Sequence, residues 1–345
     1  MNRAGRTGGA TMHDVAARAG VSIKTVSNVL NEYPYIRPAT RERVEQAIAD
    51  LGYQVNVSAR NLRRGTTGII GLALPELRLP YFAELADSVI RAAEREGLTV
   101  LIEQTGAVRE RELAVLTSAQ RQMTDGLLYS PLALDLGDLT SLHLDFPMVL
   151  LGERIFGAQA DHVTMANVDA ARAATEHLIG CGRRRIAVVG AHPGESSGSA
   201  ALRLEGYRAA LEAAGLPYDP AFVGEAGLWH RSTGADAMSR LLDAGIDVDG
   251  VFAMNDALAL GVLHTLHARG IGVPDQVAVI GFDDIEEAQY SSPTLSSISP
   301  GREQIARTAV DLLRQRIARG DGAGAPRTVV ADFEVVPRES SCSSA

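Results

Sequence analysis

The chain has one lysine, Lys24, and two cysteines, Cys181 and Cys342. The cysteines lie far apart and show no metal-ligand spacing, which fits a reducing cytoplasm. No run of eighteen apolar residues occurs, so no segment is expected to span a membrane. Met1 to Ala10 is rich in Gly and Arg and lacks an apolar h-region, so no secretory signal is expected. His13, His177, His230, His264 and His267 include no two histidines at i, i+4, so they read as surface or satisfied residues. No metal or cofactor is expected. There is no low-complexity bias, and a hydrophobic content of 46% is ample for globular domains. At 345 residues the chain is too long for one ordinary core, so two or three domains are expected.

The net charge of −9 is unevenly spread. Residues 1–65 carry Lys24 and nine arginines against Asp14, Glu32, Glu42, Glu45 and Asp50, an excess of +5, which leaves −14 for the rest. A basic head on an acidic body suits a DNA-binding module attached to a separate domain. By itself the imbalance has a bland explanation, because small domains vary in charge by chance.

The head supplies the motif. Thr11 and Asp14 fit a capping box, and Ser22 is a second N-cap eleven residues on. Between them Ala19-Gly20-Val21 is a break, because glycine can take the positive φ that ends a helix. Helices over about Met12–Ala19 and Ile23–Leu30 then read as a helix-turn-helix, whose second helix enters the DNA major groove. The spacing buries Val15, Ala16 and Ala19 on the first and Val26, Val29 and Leu30 on the second. Ile23, Lys24, Thr25, Ser27 and Asn28 are left outward, where base edges are read. A third helix follows Pro38 with Val44, Ala47, Ile48 and Leu51 inward. Asn56 is placed to cap a two-turn helix over the basic stretch that ends at Gly65-Thr66-Thr67. Such a helix forms only when a partner orders it, and a plain basic linker is an equal reading.

From Gly68 apolar runs alternate with amphipathic stretches. Strands are expected near 68–74, 98–103, 126–129, 147–151, 185–190, 223–227, 250–253, 277–281, 328–331 and 334–336, with helices between them and a serine-rich loop over 291–299. Uniformly apolar strands alternating with helices mean parallel sheets covered on both faces. Some 275 residues of this pattern exceed one sheet, so two doubly wound lobes are expected, with a ligand cleft at the carboxyl ends of the strands.

The chain resembles the LacI/GalR family of bacterial transcription repressors, from Thr11 to about Arg338. The resemblance rests on D-V-A-A-R-A-G-V-S-I-K-T-V-S-N-V-L-N at 14–31, T-R-E-R-V at 40–44 and A-R-N-L-R at 59–63. Further along it rests on R-L-E-G-Y at 203–207, F-A-M-N-D-A-L-A-L-G at 252–261 and G-F-D-D at 281–284. It implies an all-α helix-turn-helix head plus hinge helix, followed by a two-lobed, periplasmic-binding-protein-like α/β body. The implied domains are a disordered 1–10, the DNA-binding head 11–55, the hinge 56–66, the effector and dimerisation body 67–339 and a flexible tail 340–345. Within the body, lobe 1 is about 67–162 and 295–330, and lobe 2 is about 163–294 and 331–339.

Function is implied in the same way: a cytoplasmic homodimeric repressor reads a pseudo-palindromic operator and is controlled allosterically by a small polar effector, a sugar or sugar derivative. Ile23, Lys24 and Asn28 match base-reading positions, and Thr25, Ser27 and Asn31 match phosphate contacts. Many relatives have arginine where Asn28 stands, so the base read there does not transfer. Leu62 matches a leucine wedged into the minor groove, with Asn56, Ala59 and Arg60 beside it and the caps Thr11 and Ser22 completing the DNA-contact set. Arg203, Asn255 and Asp283 match effector hydrogen-bonding positions, Phe82 and Trp229 match aromatic cleft positions, and Ser197 and Ser199 lie in the loop facing the cleft. Gly152 stands where many relatives place an acid; whether the neighbouring Glu153 substitutes for it is open, so the identity of the ligand does not transfer. Asp283 and Asn255 also read as plain helix caps, and Trp229 as packing.

Two other classes need weighing. A stand-alone sugar-binding protein shares the two-lobed body, but the basic head argues against it. Gly194-Glu-Ser-Ser-Gly198 satisfies the G-x-S-x-G pattern of serine hydrolases, yet Ala191-His192-Pro193 separates it from the strand, so the sharp strand-to-helix turn is missing. After Arg338 only E-S-S-C-S-S-A follows, without leucine heptads, which fits a dimer rather than a tail-joined tetramer.

Overall fold

The structure is a computed structural model that describes residues 10–30, 33–53, 66–117, 123–135, 137–138, 146–195, 197–319 and 324–342. They divide into two compact units, Met1–Thr67 and Gly68–Ala345. Among the described residues the head has three helices: α1 (Met12–Ala19), α2 (Ile23–Leu30) and α3 (Pro38–Leu51). Thr11 and Asp14 form the capping box reciprocally: Asp14 N–H donates to Thr11 Oγ1 (3.3 Å) and Thr11 N–H to Asp14 Oδ2 (2.9 Å). Gly20 ends α1 at φ 64°. Val15, Ala16, Ala19, Val26, Val29, Val44, Ala47 and Tyr53 make the core. Eight residues of this size form a small core, and the head is expected to be only marginally stable. The expected hinge helix, with Asn56, Ala59, Arg60 and Leu62, lies outside the described residues, as does Asn31.

The body holds two parallel sheets. The first is built from β1 (Ile69–Leu74), β2 (Thr99–Gln104), β3 (Gly126–Tyr129), β4 (Met148–Leu151), β5 (Asp161–Met165) and the late β11 (Thr328–Ala331), in the order β11-β5-β4-β3-β1-β2. Its helices are α4 (Pro80–Arg95), α5 (Arg109–Thr117) and, late in the chain, α11 (Arg302–Arg319). The second sheet has β6 (Ile186–Ala191), β7 (Val223–Glu225), β8 (Gly250–Ala253) and β9 (Ala278–Ile280), in the order β7-β6-β8-β9. It is flanked by α6 (Asn167–Gly180), α7 (Ser199–Ala213), α8 (Arg231–Asp243) and α9 (Asp256–Ala268). β1, β3, β4, β6, β8 and β9 are buried over nearly their whole length, as strands covered on both faces must be. No helix among the described residues is long and apolar enough to cross a membrane.

The structure corrects several expectations. Residues 161–165, left between two elements in the sequence reading, form β5 inside the first sheet. The serine-rich loop over 291–299 follows a short helix, α10 (Glu286–Tyr290), and ends in β10 (Ser297–Ser299). β10 pairs antiparallel with β12 (Glu334–Val336), and Leu295 and Ile298 pack in the core of lobe 2, so 295–299 belongs there rather than to lobe 1. Within the expected tail, Ser340 and Ser341 are fully buried rather than loose. Nor are the cysteines separate: Cys181 and Cys342 form a disulfide with Cα atoms 5.6 Å apart, and His177 lies beside both sulfurs.

Glycines set how closely the lobe 2 helices approach. A Cβ on Gly261 of α9 would collide with the backbone carbonyl of Arg231 at the start of α8 and lie 2.6 Å from Ala235 N. Gly261→Ala is therefore expected to destabilise by about 2 kcal/mol, overpacking outweighing the roughly 1 kcal/mol gained in helix propensity. Gly180→Ala, whose Cβ would meet nothing within 4 Å, is the matched control and should stabilise slightly. Urea denaturation of the two variants measures both.

Candidate effector cleft and DNA-reading helix

Between the lobes lies a cavity of about 290 Å³ at the carboxyl ends of the parallel strands. Lobe 1 contributes Glu76 of the β1–α4 connection, Tyr81 and Phe82 of the first turn of α4, and the turn after β4 with Gly152, Glu153 and Arg154. Lobe 2 contributes the start of α7, Trp229, Asn255 and the loop after β9 that carries Asp283. Six of the seven sequence-derived effector residues therefore line one cavity: Phe82, Ser199, Arg203, Trp229, Asn255 and Asp283. Ser197 does not. It is exposed, and its backbone carbonyl accepts from Arg154 NH1 at 2.8 Å.

Arg203 is 2% exposed and largely committed to the protein. Its Nε donates to Asn167 Oδ1 (2.7 Å), NH1 donates to Met254 O, and its guanidinium carbon lies 3.5 Å above the centre of the Phe282 ring. Burial lowers its pKa, and the carboxylates of Asp283 and Glu153 oppose that shift. Asn255 caps α9, Oδ1 accepting Leu258 N–H at 2.8 Å, while Nδ2 donates to Trp229 O at 3.3 Å. Capping and cleft lining thus coexist in one side chain. Trp229 commits its indole N–H to Gly190 O (2.9 Å), which fixes the ring plane in the cavity wall.

Asp283 is the most available acceptor. It is 5% exposed at φ 113°, a backbone region that asparagine, aspartate and glycine tolerate best. The loop that holds it is pinned from below by Asp256, whose Oδ1 accepts Ser297 Oγ (2.6 Å) and whose Oδ2 accepts Ile285 N–H (3.0 Å). Gly281 leaves no room for a Cβ against that carboxylate. No described side chain gives a hydrogen bond to the Asp283 carboxylate; Arg302 NH1 bonds its backbone carbonyl instead (3.0 Å). Burial pushes Asp283 up to about 7, with Arg203 and Arg302 pulling it back and Glu84 and Glu153 adding to the rise.

Two groups escaped the sequence reading or were left open by it. Glu153 is buried and bridges the lobes: Oε1 accepts Thr164 Oγ1 (3.2 Å) and Met165 N–H (3.3 Å), while Oε2 accepts Ser199 Oγ from lobe 2 (2.6 Å). It therefore sits in the wall where Gly152 left a gap in the family pattern. His230 Nε2 meets Glu76 Oε2 across the cleft at 2.8 Å, another inter-lobe bond. The signal for both was position: each follows the end of an apolar run, where α/β ligand sites are built.

In the head, Ser22 just before α2 and Lys24 on it are exposed, while Thr25, Ser27 and Asn28 are half-buried. Ser22 Oγ accepts Thr25 N–H at 3.1 Å and so caps the helix. Ile23 is less outward than expected, because it packs partly against the head core. Thr11 is occupied by its capping box. The serine of the hydrolase pattern at 196 lies outside the described residues. β6 ends at Ala191 and α7 begins at Ser199, so the strand does not run directly into the helix as a nucleophile elbow requires.

Comparison with known proteins agrees with this architecture. Residues 11–56 match the profile of bacterial regulatory proteins of the lacI family, and residues 175–341 match that of a periplasmic binding protein-like domain. The HTH-type transcriptional repressor PurR of Haemophilus influenzae (strain PittEE) is 34% identical over 316 residues, covering 90% of this chain and 92% of the relative. A structure from Sanguibacter keddieii DSM 10542, assigned to the LacI family of transcriptional regulators, is 51% identical with a TM-score of 0.75, covering 80% of this chain and 98% of that one. A complex of the transcriptional regulator CelR with cellobiose is 32% identical with a TM-score of 0.71, covering 96% and 99%. These relatives are regulators rather than enzymes, and the chain joins both of their parts, DNA-binding head and effector-type body, in the same order. It belongs to the LacI family of bacterial transcription regulators.

Proposed function

We propose that this regulator is a cytoplasmic homodimeric repressor whose operator affinity is set by a sugar, or a close sugar derivative, bound between the lobes. The observation that carries the ligand class is the cavity wall. It combines hydrogen-bonding groups of both kinds, Asp283, Glu153, Asn255 and Arg203, with the aromatic faces of Trp229, Tyr81 and Phe82. A sugar presents a hydroxylated rim and an apolar face, and needs that combination. The CelR–cellobiose complex supports the same class. A saccharide panel in isothermal titration calorimetry tests it: binding by at least one mono- or disaccharide supports the reading, and heats from none of them overturn it.

On the DNA side, Lys24 and Asn28 read bases from α2, with Ile23 adding apolar contact, while Thr25, Ser27 and Asn31 meet phosphate. Lys24 suits guanine O6/N7 and Asn28 suits adenine. Thr11 and Ser22 are helix caps whose exposed N-terminal backbones face the same phosphates. Asn56, Ala59, Arg60 and Leu62 supply the hinge contact in the minor groove. One short recognition helix covers few base pairs, so two copies on a two-fold site provide the specificity. Lys24→Ala is expected to weaken binding to the cognate operator by about 10- to 100-fold, the worth of one good base contact, and to relax discrimination at a single base position. Competition gel shifts with single-base operator variants read this directly.

The gating rests on linked equilibria. The effector favours one arrangement of the lobes, and it shifts repression only by its difference in affinity between arrangements, commonly about 1–3 kcal/mol. The Ser199–Glu153 and His230–Glu76 bonds are the inter-lobe contacts that such a ligand would strengthen or replace.

A further inference from the structure

The C-terminal segment is strapped to lobe 2. Ser340 Oγ donates to Val279 O (2.7 Å) and accepts Ser296 N–H (2.8 Å), while Val279 N–H donates to Ser340 O (2.7 Å). Two residues earlier, Arg338 NH2 pairs with Asp284 (2.6 Å), the neighbour of Asp283 on the cleft loop. This strap delivers Cys342 to the last turn of α6, where His177 and Cys181 stand four residues apart and share a face.

His177 Nε2 lies 3.7 Å from Cys181 Sγ and 4.0 Å from Cys342 Sγ, and the three atoms fall within 4.8 Å of one another. A tetrahedral zinc ion, with Zn–S about 2.3 Å and Zn–N about 2.05 Å, sets sulfur and nitrogen about 3.6 Å apart and two sulfurs about 3.8 Å apart. Both nitrogen–sulfur separations therefore already suit a zinc ion, and only the sulfur–sulfur distance must open. All three side chains are half-buried, so an ion or a small thiol can reach them. The same nitrogen thus stands within 4.0 Å of both sulfurs of the disulfide.

We propose that His177, Cys181 and Cys342 form a redox-gated zinc site. The disulfide is its oxidised, metal-free form, and the reduced form holds one Zn²⁺ through two thiolates and His177 Nε2, with water at the fourth position. Ser341 Oγ, 2.7 Å from His177 Nε2, keeps the imidazole bonded when the ion is absent. Oxidation by a low-molecular-weight disulfide balances. The two thiolates give up two electrons and join; the incoming S–S bond breaks into two thiolates that leave and take up protons from water; Zn²⁺ is released. The site clasps the strap that runs to Asp284, so its state bears on how firmly the cleft loop is held.

The test uses the full chain, reduced with a phosphine and freed of metal, with zinc alone as the probe. Equilibrium dialysis should give one zinc per chain for wild type and none above background for Cys181→Ser, Cys342→Ser or His177→Ala. Cobalt in place of zinc should show thiolate-to-cobalt charge-transfer absorption. Oxidised glutathione should release the metal in step with disulfide formation, followed by mass spectrometry after alkylation. Zinc uptake by the reduced wild type no greater than by the two serine variants would overturn the proposal, as would uptake unaffected by prior oxidation. The serine variants change a single atom, so the test holds even if His177→Ala fails to fold.

Discussion

Asp283→Asn should lower effector affinity by about 100-fold while leaving operator affinity in the absence of effector unchanged. The substitution keeps size and tolerance of positive φ, so the loop at φ 113° can form. What it removes is a charged acceptor in a buried wall, and hydrogen bonds to charged groups are worth about 1.5–3 kcal/mol each. Losing the charge from two such bonds corresponds to roughly two decades in binding constant. The same residue sets a pH dependence. With burial holding the carboxyl at about 7 in the free protein, ligand hydroxyl donors favour the ionised form. Effector binding should therefore weaken as pH falls from 8 to 6, and the slope should vanish in Asp283→Asn. Calorimetry across that range checks both outcomes, and equal affinity for variant and wild type would remove Asp283 from the site.

Asp161→Ala should cost about 3–5 kcal/mol of stability, the loss expected when one partner of a buried ion pair is removed. Asp161 is fully buried at the start of β5, between Arg316 of α11 and Arg327 at the approach to β11. Arg316 donates to both of its carboxylate oxygens, at 2.8 and 2.9 Å, and Arg327 N–H adds a third bond at 2.7 Å. This one carboxylate thus ties the central part of lobe 1 to chain returning from lobe 2. Burial pushes the carboxyl up, but the bonds to Arg316 and Arg327 outweigh it and hold the pKa well below the usual carboxylate range. A depressed acid pKa contributes stability that is fully present above about pH 4 and lost as pH falls further. Acid unfolding of the wild type should therefore carry a contribution below pH 4 that Asp161→Ala lacks, and urea melts at pH 7 and pH 3 measure it.

How much of this was legible from sequence depended on local signal. The capping box at Thr11, the glycine at 20 and Pro38 stated the head almost residue by residue, because caps and breaks are chemistry of neighbours. Strands such as Met148–Leu151 announced themselves as apolar runs. β5 did not. Its D-H-V-T-M has three polar residues that are buried only because Arg316, Arg327, Gly152 O and Glu153 satisfy them from distant parts of the chain. The cysteine pair failed to show for the same reason. Cys181 and Cys342 are 161 residues apart in sequence, and only the Ser340 strap brings them together. In the cleft, family positions gave Arg203, Asn255 and Asp283, but Glu153 emerged only once Ser199 was seen across the cavity from it. Ile23 shows the remaining limit: helical periodicity assigns a face, while packing against the small head core decides how much of the side chain is left to meet DNA.

The central claim, that a ligand in the cleft controls what the head does on DNA, is tested most directly by one titration. Fluorescence anisotropy of a labelled duplex from the region upstream of the protein's own coding sequence is followed between 50 and 200 mM salt, with and without each saccharide of a panel. Affinity should fall steeply with salt, as counterion release requires. At least one saccharide should shift it about 10-fold or more in the wild type and leave Asp283→Asn unmoved. Operator binding that no saccharide alters, or a shift that persists undiminished in Asp283→Asn, would contradict the account.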